Sequence, residues 1–427
     1  MTKIWQKINT SFSKGIEDYT VGDDYIYDKN LIIYDIKASI AHAKGLKKAK
    51  IISAQNADDI ILKLKNLEEE VKAGQFKIKK EDEDCHTAIE NYLVKNLGKK
   101  GSNVHLGRSR NDQVLVALRM YEIESLVEIK QKTIRLAKQV LELAKKNKNV
   151  PMPGYSHTRQ AMLSSVSHYF AWILESLLDD CDLLEATMKH LNKCPLGSAA
   201  GFGSNFALKR GCVAKECGFD SLIVNSLYAQ NSKGKFESLY LESLTQLMIT
   251  IDRAANDLIY FSMPEFGFFE FADNITTGSS IMPQKKNMDA LELIRAKSAQ
   301  LISRKQEVQL NSKNLLSGYN RDGQLIKKAV IDSTQIIFET LEVFMEILEK
   351  MTVDRKSIEN KINLDIIAAD VAGELVKEKN IGFREAYNLA VASLPKKVDW
   401  KKEINKKKSL GSAGNLGLKI LEKRLKR

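Results

Sequence analysis

The chain is predicted to be mainly α, with a long central helical bundle flanked by smaller N- and C-terminal helical domains. Three observations predict it. The six prolines stand at Pro151, Pro153, Pro195, Pro264, Pro283 and Pro395, leaving long intervals without a helix breaker. Those intervals carry apolar residues at three-, four- and seven-residue steps, as Leu126, Ile129, Leu136, Val140 and Leu143 do. Alternating strand patterns and the glycine fingerprints of nucleotide-binding βαβ units are absent.

Taken in order, residues 1–104 read as an N-terminal helical domain. Residues 105–350 form the bundle, with helices over 112–148, 160–191, 235–262, 288–316 and 324–350. Residues 351–427 close the chain as a C-terminal helical domain with a basic tail. A 30-residue helix is roughly 45 Å long, well beyond the usual globular helix of about 11–12 residues. Stretch 235–262 carries Leu239, Leu241, Leu244, Leu247, Met248, Ile249 and Ile251, apolar around more than one face. A helix apolar on several sides must be covered on several sides, which argues for oligomerisation through the bundle.

Composition narrows the function classes. A mean hydropathy of −0.28 and the lack of any run of about 18 apolar residues predict no membrane span. The start, Met1-Thr-Lys-Ile-Trp-Gln-Lys, has no secretion-signal core. Five cysteines without zinc-type spacing suit reduced thiols in the cytoplasm. Lys396–Arg427 holds twelve Lys/Arg against three Asp/Glu, so nine of the +12 net charge sit in that tail. No aromatic or glycine-rich recognition motif accompanies it, and a solvated basic segment is expected rather than a nucleic-acid site.

Three polar clusters carry chemistry. Gly278-Ser-Ser-Ile-Met-Pro-Gln-Lys-Lys-Asn287 cannot continue a helix, yet helical sequence lies on both sides. It reads as a mobile loop offering a hydroxyl (Ser279 or Ser280), two cations (Lys285, Lys286) and an amide (Asn287). Such parts suit removal of a proton beside a carboxylate while cations absorb the developing charge. Val104-His-Leu-Gly-Arg-Ser-Arg-Asn-Asp-Gln113 offers Arg108 and Arg110 as carboxylate-gripping forks and Ser109 and Asn111 as neutral donors. A helix start at about Asp112 would make it an anion site. Met152-Pro-Gly-Tyr-Ser-His-Thr-Arg159 places His157 on a loop beside a helix start, where neighbours can tune its charge.

These three segments resemble the signature regions of the fumarase/aspartase superfamily of lyases, in the form seen in argininosuccinate lyase. Glu83-Asp-Cys-His86 is similar to the family's E-D-x-H segment, and Pro195-Leu-Gly-Ser-Ala-Ala-Gly201 to its P-L-G-[SA]-x-A-G turn. Tyr319-Asn-Arg-Asp-Gly-Gln-Leu-Ile-Lys327 is similar to a Y-x-x-D-x-Q-x-x-K pattern that contacts substrate there. The resemblance implies cleavage of argininosuccinate to arginine and fumarate, the last step of arginine biosynthesis, without cofactor or metal. It implies a homotetramer whose active sites are each shared between three subunits.

By the same resemblance Ser279 is the proton-abstracting base and His157 protonates the leaving nitrogen, although which is base and which acid stays open. Glu292 would orient or charge His157, and Lys285 and Asn287 would stabilise the doubly negative intermediate. Ser109 and Asn111 would anchor carboxylates, with Arg110, Ser156, His86, Tyr319, Gln324 and Lys327 completing the substrate site. Loop 278–287 would act as a lid.

The chain also departs from the pattern. Trp5-Gln-Lys-Ile-Asn9 replaces W-G-G-R-F, Arg159 replaces a glutamine, and Met288 stands where proline is usual. The family's substrate-binding serine near position 20–24 has no clear match. Phe383-Arg-Glu-Ala-Tyr387 resembles F-R-x-A-[HY] and is read as packing. The rival readings are a sister lyase acting on adenylosuccinate or another succinyl adduct, and a non-catalytic structural homologue like some lens crystallins.

Overall fold

Helices dominate the computed structural model, which describes residues 13–426; the Trp5–Asn9 departure lies outside the described residues. The chain divides into two compact units. One comprises Met1–Val127, Ala186–Glu242 and Ser303–Gln335, the other Glu128–Glu185, Ser243–Ile302 and Ile336–Arg427.

The first unit opens with helices α1 (Lys14–Val21), α2 (Ile32–Lys48), α3 (Ala54–Lys72) and α4 (Cys85–Leu97). Sequence sets two of these starts: Ser53 accepts from the Asn56 N–H and Asp84 from the Thr87 N–H, each taking up an amide that the helix leaves orphaned. Ala38 and Ala41 of α2 pack on Val116, Leu196, Val213 and Phe219 in a buried cluster. Gly45 allows that approach, because a Cβ there would come within 2.5 Å of the Val213 side chain.

The long helices follow as α5 (Arg110–Lys146), α6 (Val166–Leu191), α7 (Lys235–Ser262), α8 (Asp289–Ser312) and α9 (Ile326–Glu349). All five expected helices are present, and four keep their predicted bounds within a few residues. Polar residues tie them as well as apolar ones. In the first unit the buried Tyr240 and Thr334 hydroxyls meet at 2.6 Å, and Lys305 pairs with Glu242 at 2.6 Å. In the second, Lys130 pairs with Glu185 at 2.7 Å and Lys297 with Glu339 at 2.8 Å.

The exception is α6, which begins at Val166 rather than near 160. Residues expected to be loop and helix form a β-hairpin, β1 (Pro151–Ser156) against β2 (Arg159–Ser165). Ala161, Met162 and Leu163 are good helix formers, so local preference pointed the other way. Pro151 and Pro153 cannot enter a helix interior, and the extended strand they begin offers pairing across a two-residue turn. Side-chain bonds fix the hairpin to the C-terminal segment: Gln160 donates to the Lys361 carbonyl at 2.7 Å and accepts from the Asn363 N–H at 2.9 Å.

Farther on in the second unit, α10 (Ala368–Lys379) turns through left-handed Asn380 into α11 (Phe383–Ala390). Ala386 is buried against Leu375, but Phe383 and Tyr387 are exposed, so only part of the Phe383–Tyr387 motif packs. The basic tail folds as α12 (Trp400–Lys406) and α13 (Leu418–Leu425). Lys406 meets Glu374 at 2.7 Å, Lys407 meets Asp370 at 2.8 Å, and Arg424 meets Asp182 at 3.0 Å. Part of the tail's charge is therefore matched by acids of its own unit. Among the described residues, no helix is long and apolar enough to cross a membrane.

Candidate active site

In the first unit the site grows from the start of α5. The helix begins at Arg110, two residues before the expected Asp112, because Ser109 and Asp112 cap it reciprocally. Ser109 Oγ accepts from the Asn111 N–H at 3.3 Å while Asp112 accepts from the Ser109 N–H at 2.8 Å. The other Asp112 oxygen accepts from the N–H groups of Gly197 and Ala199, at 2.9 and 2.8 Å. Burial pushes this carboxyl up to about 6 against the pull of those backbone donors. Asp112 thus clamps the Pro195–Gly201 turn to the helix start.

The two arginines of this segment part ways. Arg108 is buried and donates to Ser39 Oγ at 3.0 Å, so it serves the fold rather than gripping a carboxylate from solution. Arg110 is partly exposed and pairs with Asp84 and, at 3.4 Å, with Glu83. A cavity of about 220 Å³ opens beside it, walled also by Asn111, Tyr319, Gln324 and Lys327. Five of the expected substrate-binding residues, far apart along the chain, therefore meet.

Their states differ. Lys327 is 2% exposed and bonds Asp28 at 2.6 Å and Asp24 at 3.1 Å. Burial opposes its charge, but those two carboxylates outweigh it and hold the ammonium well above the usual lysine range. Gln324 donates to the last carbonyls of α1, at Thr20 (2.9 Å) and Val21 (3.2 Å). That contact occupies the region where the family's serine was missed. Ser109 is not on the cavity wall, and neither is His86, which is buried with Nδ1 2.7 Å from Asp35. Asp28, Cys85 and His86 bring donor atoms within 4.8 Å of one another. Lys327 already engages Asp28 and Asp35 engages His86, so the trio reads as an ion-pair network.

Lys233, which no motif marked, lines the same cavity, its ammonium 5.8 Å from the Tyr319 ring centre. Burial first, and the Lys327 charge second, bring it down to about 8. It makes no ion pair with a carboxylate among the described residues. The only sequence signal was the polar, glycine-containing run before α7.

The second unit holds the remaining candidates. His157 and Thr158 form the hairpin turn, both at positive φ (51° and 61°), closed by the Ser156–Arg159 pair. Two-residue turns of this hand favour Asn-Gly, and a β-branched residue at φ 61° is strained. The exposed histidine therefore sits at the tip of a stiff hairpin rather than on a loop beside a helix.

Loop 277–287 is closed at its base by backbone bonds in both directions between Thr277 and Asn287, at 3.1 and 2.8 Å. The Asn287 side chain donates to the Gly278 carbonyl at 3.1 Å. Ser279 Oγ accepts from the N–H groups of Ile281 and Met282, at 3.3 and 3.2 Å. Lys286 is neutralised by Asp273, whereas Lys285 is exposed and has no carboxylate partner among the described residues. Glu292, in the first turn of α8, is exposed, and no side-chain hydrogen bond joins it to His157 among the described residues.

Residues 19–303 match a family described as lyase. The chain is 41% identical over 93% of its length to argininosuccinate lyase of Thermotoga neapolitana, covering 99% of that protein. It is 39% identical over its whole length to argininosuccinate lyase of Sorangium cellulosum, again covering 99%. Among solved structures, an EDDS lyase in complex with formate superposes with a TM-score of 0.82 at 19% identity, covering 98% of this chain and 91% of that one. A fumarate lyase:delta crystallin from Brucella melitensis superposes at 0.74 with 17% identity, over 98% and 93% of the two chains. These likenesses establish the mainly helical fold, and the sequence matches establish the kinship: the chain belongs to the lyase family, among the argininosuccinate lyases.

Proposed function

We propose that the chain cleaves argininosuccinate into arginine and fumarate by β-elimination, working as a homotetramer in the cytoplasm. A proton leaves the succinyl carbon beside a carboxylate, the C–N bond to the guanidino nitrogen breaks, and its electrons leave with that nitrogen, which takes up a proton. The electrons of the C–H bond become the fumarate double bond. Loop 277–287 carries this reading. A serine hydroxyl is ordinarily a poor base, but Ser279 Oγ faces two backbone N–H donors that would stabilise an alkoxide.

Lys285, which has no carboxylate partner among the described residues, is the candidate for the doubly negative carboxylate of the intermediate. Asn287 contributes by holding the loop's base as well as by any contact with substrate. His157, presented on its hairpin with Ser156 beside it, would exchange the leaving-group proton, with Glu292 orienting it. In the first unit Arg110, Asn111, Tyr319 and Lys233 would grip substrate, and Lys233 supplies the positive charge that Lys327 shares with two aspartates. Ser109 would act through the start of α5 that it caps, and His86 through its pair with Asp35, rather than from the cavity wall.

Exposure of His157, Glu292 and Lys285, together with exposed Ile249, Leu293, Leu310 and Val343 on the long helices, supports completion of each site by other copies of the chain.

The test is release of fumarate, followed by its ultraviolet absorbance, from argininosuccinate and in parallel from adenylosuccinate. Product from argininosuccinate alone, lost in Ser279→Ala and His157→Asn, is the expected result. Product only from adenylosuccinate would reassign the substrate. Silence with both, in a confirmed tetramer, would overturn the reading.

A further inference from the structure

A second cavity, of about 310 Å³, lies in the second unit between the hairpin, α6 and α7, and none of the residues assigned above lines it. Its walls are aromatic. Tyr155 and Phe261 approach to 6.0 Å between ring centres, Tyr169 and Phe261 to 5.8 Å, and Tyr169 and Trp172 to 6.1 Å. Among the described residues, Asp257 of α7 is the one acid on the wall, and no lysine or arginine lines it.

Two polar groups there lack partners. The Asp257 carboxylate has neither hydrogen bond nor ion pair among the described residues; Arg253, one turn earlier, acts on it only through its field. Tyr169 is 8% exposed, and its buried hydroxyl has no hydrogen-bond partner among the described residues. An unpartnered buried hydroxyl is costly, and the half-buried Asp257 carboxylate has only solvent to answer its charge unless a ligand does. Other polar groups on the wall have partners: Ser164 Oγ meets His168 Nδ1 at 2.8 Å, the same ring engages the Gly411 backbone, and the Tyr155 hydroxyl engages Gln160. Burial holds His168 below its ordinary value, which favours the neutral ring.

An anion would meet Asp257 with no cation on the wall itself, Arg253 and Lys407 acting only from beyond it, and a purely apolar guest would leave both polar groups stranded. A cation with N–H donors answers the carboxylate while its charge rests against ring faces, and a small shift of the Tyr169 ring would bring its buried hydroxyl within reach of the same donors. We propose that this cavity binds a small organic cation with a guanidinium or primary ammonium head, at a site separate from the proposed catalytic one.

The probe is agmatine, which carries both heads and no carboxylate, titrated calorimetrically into the assembled enzyme with Trp172 fluorescence followed in parallel. Saturable binding is expected. Asp257→Asn should weaken it by about tenfold or more, the scale of one charge-assisted contact, while fumarate release stays unchanged. Asp257→Glu should restore part of the affinity. Tyr169→Phe, which deletes one hydroxyl and spares the packing, should give a smaller loss and serves if Asp257→Asn fails to fold. Succinate, offered alone, should not bind at this cavity. Agmatine affinity and stoichiometry unchanged in both variants would overturn the proposal. So would binding lost in Tyr319→Ala but kept in Asp257→Asn, since the first cavity would then be the only one occupied.

Discussion

Lys285 and Lys286 have the same chemistry and adjacent numbers, yet Asp273 neutralises Lys286 while Lys285 has no acid partner among the described residues. Lys285→Met should therefore lower kcat by about a hundredfold or more, the scale of one lost intermediate-stabilising donor. Lys286→Met should cost far less, and steady-state kinetics on the pair decides it. At Lys233 the expected change is in binding: Lys233→Met should raise KM with kcat little altered, the pattern of a lost ground-state contact.

Lys327 is predicted to behave differently from a substrate ligand. Replacing it by methionine strands the buried Asp28 and the partly buried Asp24, a loss of about 3–5 kcal/mol that denaturant unfolding would register before any assay. The motif around Tyr319–Lys327 was readable as a pattern. What Lys327 is bonded to was not, because its partners stand some 300 positions earlier in the chain.

At the scale of the element, the hairpin is the clearest case of local preference overridden. Residues 160–165 have helical composition, and only their pairing with a proline-fixed strand makes them extended. That pairing holds His157 and Thr158 in the left-handed region. Thr158→Gly should stabilise the fold by about 1 kcal/mol by removing this strain. Its thermal shift and its kcat, measured together, would show whether the strained turn also positions His157. The helix start at Arg110 carries a similar lesson. An aspartate two residues downstream looked like the cap, but it acts as the return half of a capping box and as the clamp on a distant turn.

For the whole molecule, pH reports on the buried network behind the first cavity. Burial tends to raise the Asp84 carboxyl, but the charges of His86 and Arg110 prevail and bring it to about 2. A carboxyl lowered from its ordinary 3.8 stabilises the fold above pH ~4 and loses that contribution as pH falls toward 2, about 2 kcal/mol in all. His86 is shifted the other way: burial opposes its charge, and Asp35 outweighs that and raises it. Its contribution is full below the ordinary histidine value and fades as pH rises through the elevated one. Unfolding midpoints measured across pH should fall on the acid side, and Asp84→Asn should flatten that limb.

The sequence by itself determined the helical class, the five long helices, the lyase signatures and the candidate chemistry of Ser279, His157 and Lys285. These rest on periodicity, on proline and glycine placement, and on short motifs, all of which are local in the chain. Only the tertiary structure decided which loop lysine an aspartate neutralises and which arginine is buried. It also decided that a hairpin carries the histidine and that Lys233 joins the cavity. Each depends on a partner tens to hundreds of residues away, and burial, charge compensation and strand pairing exist only once the chain has brought those partners together.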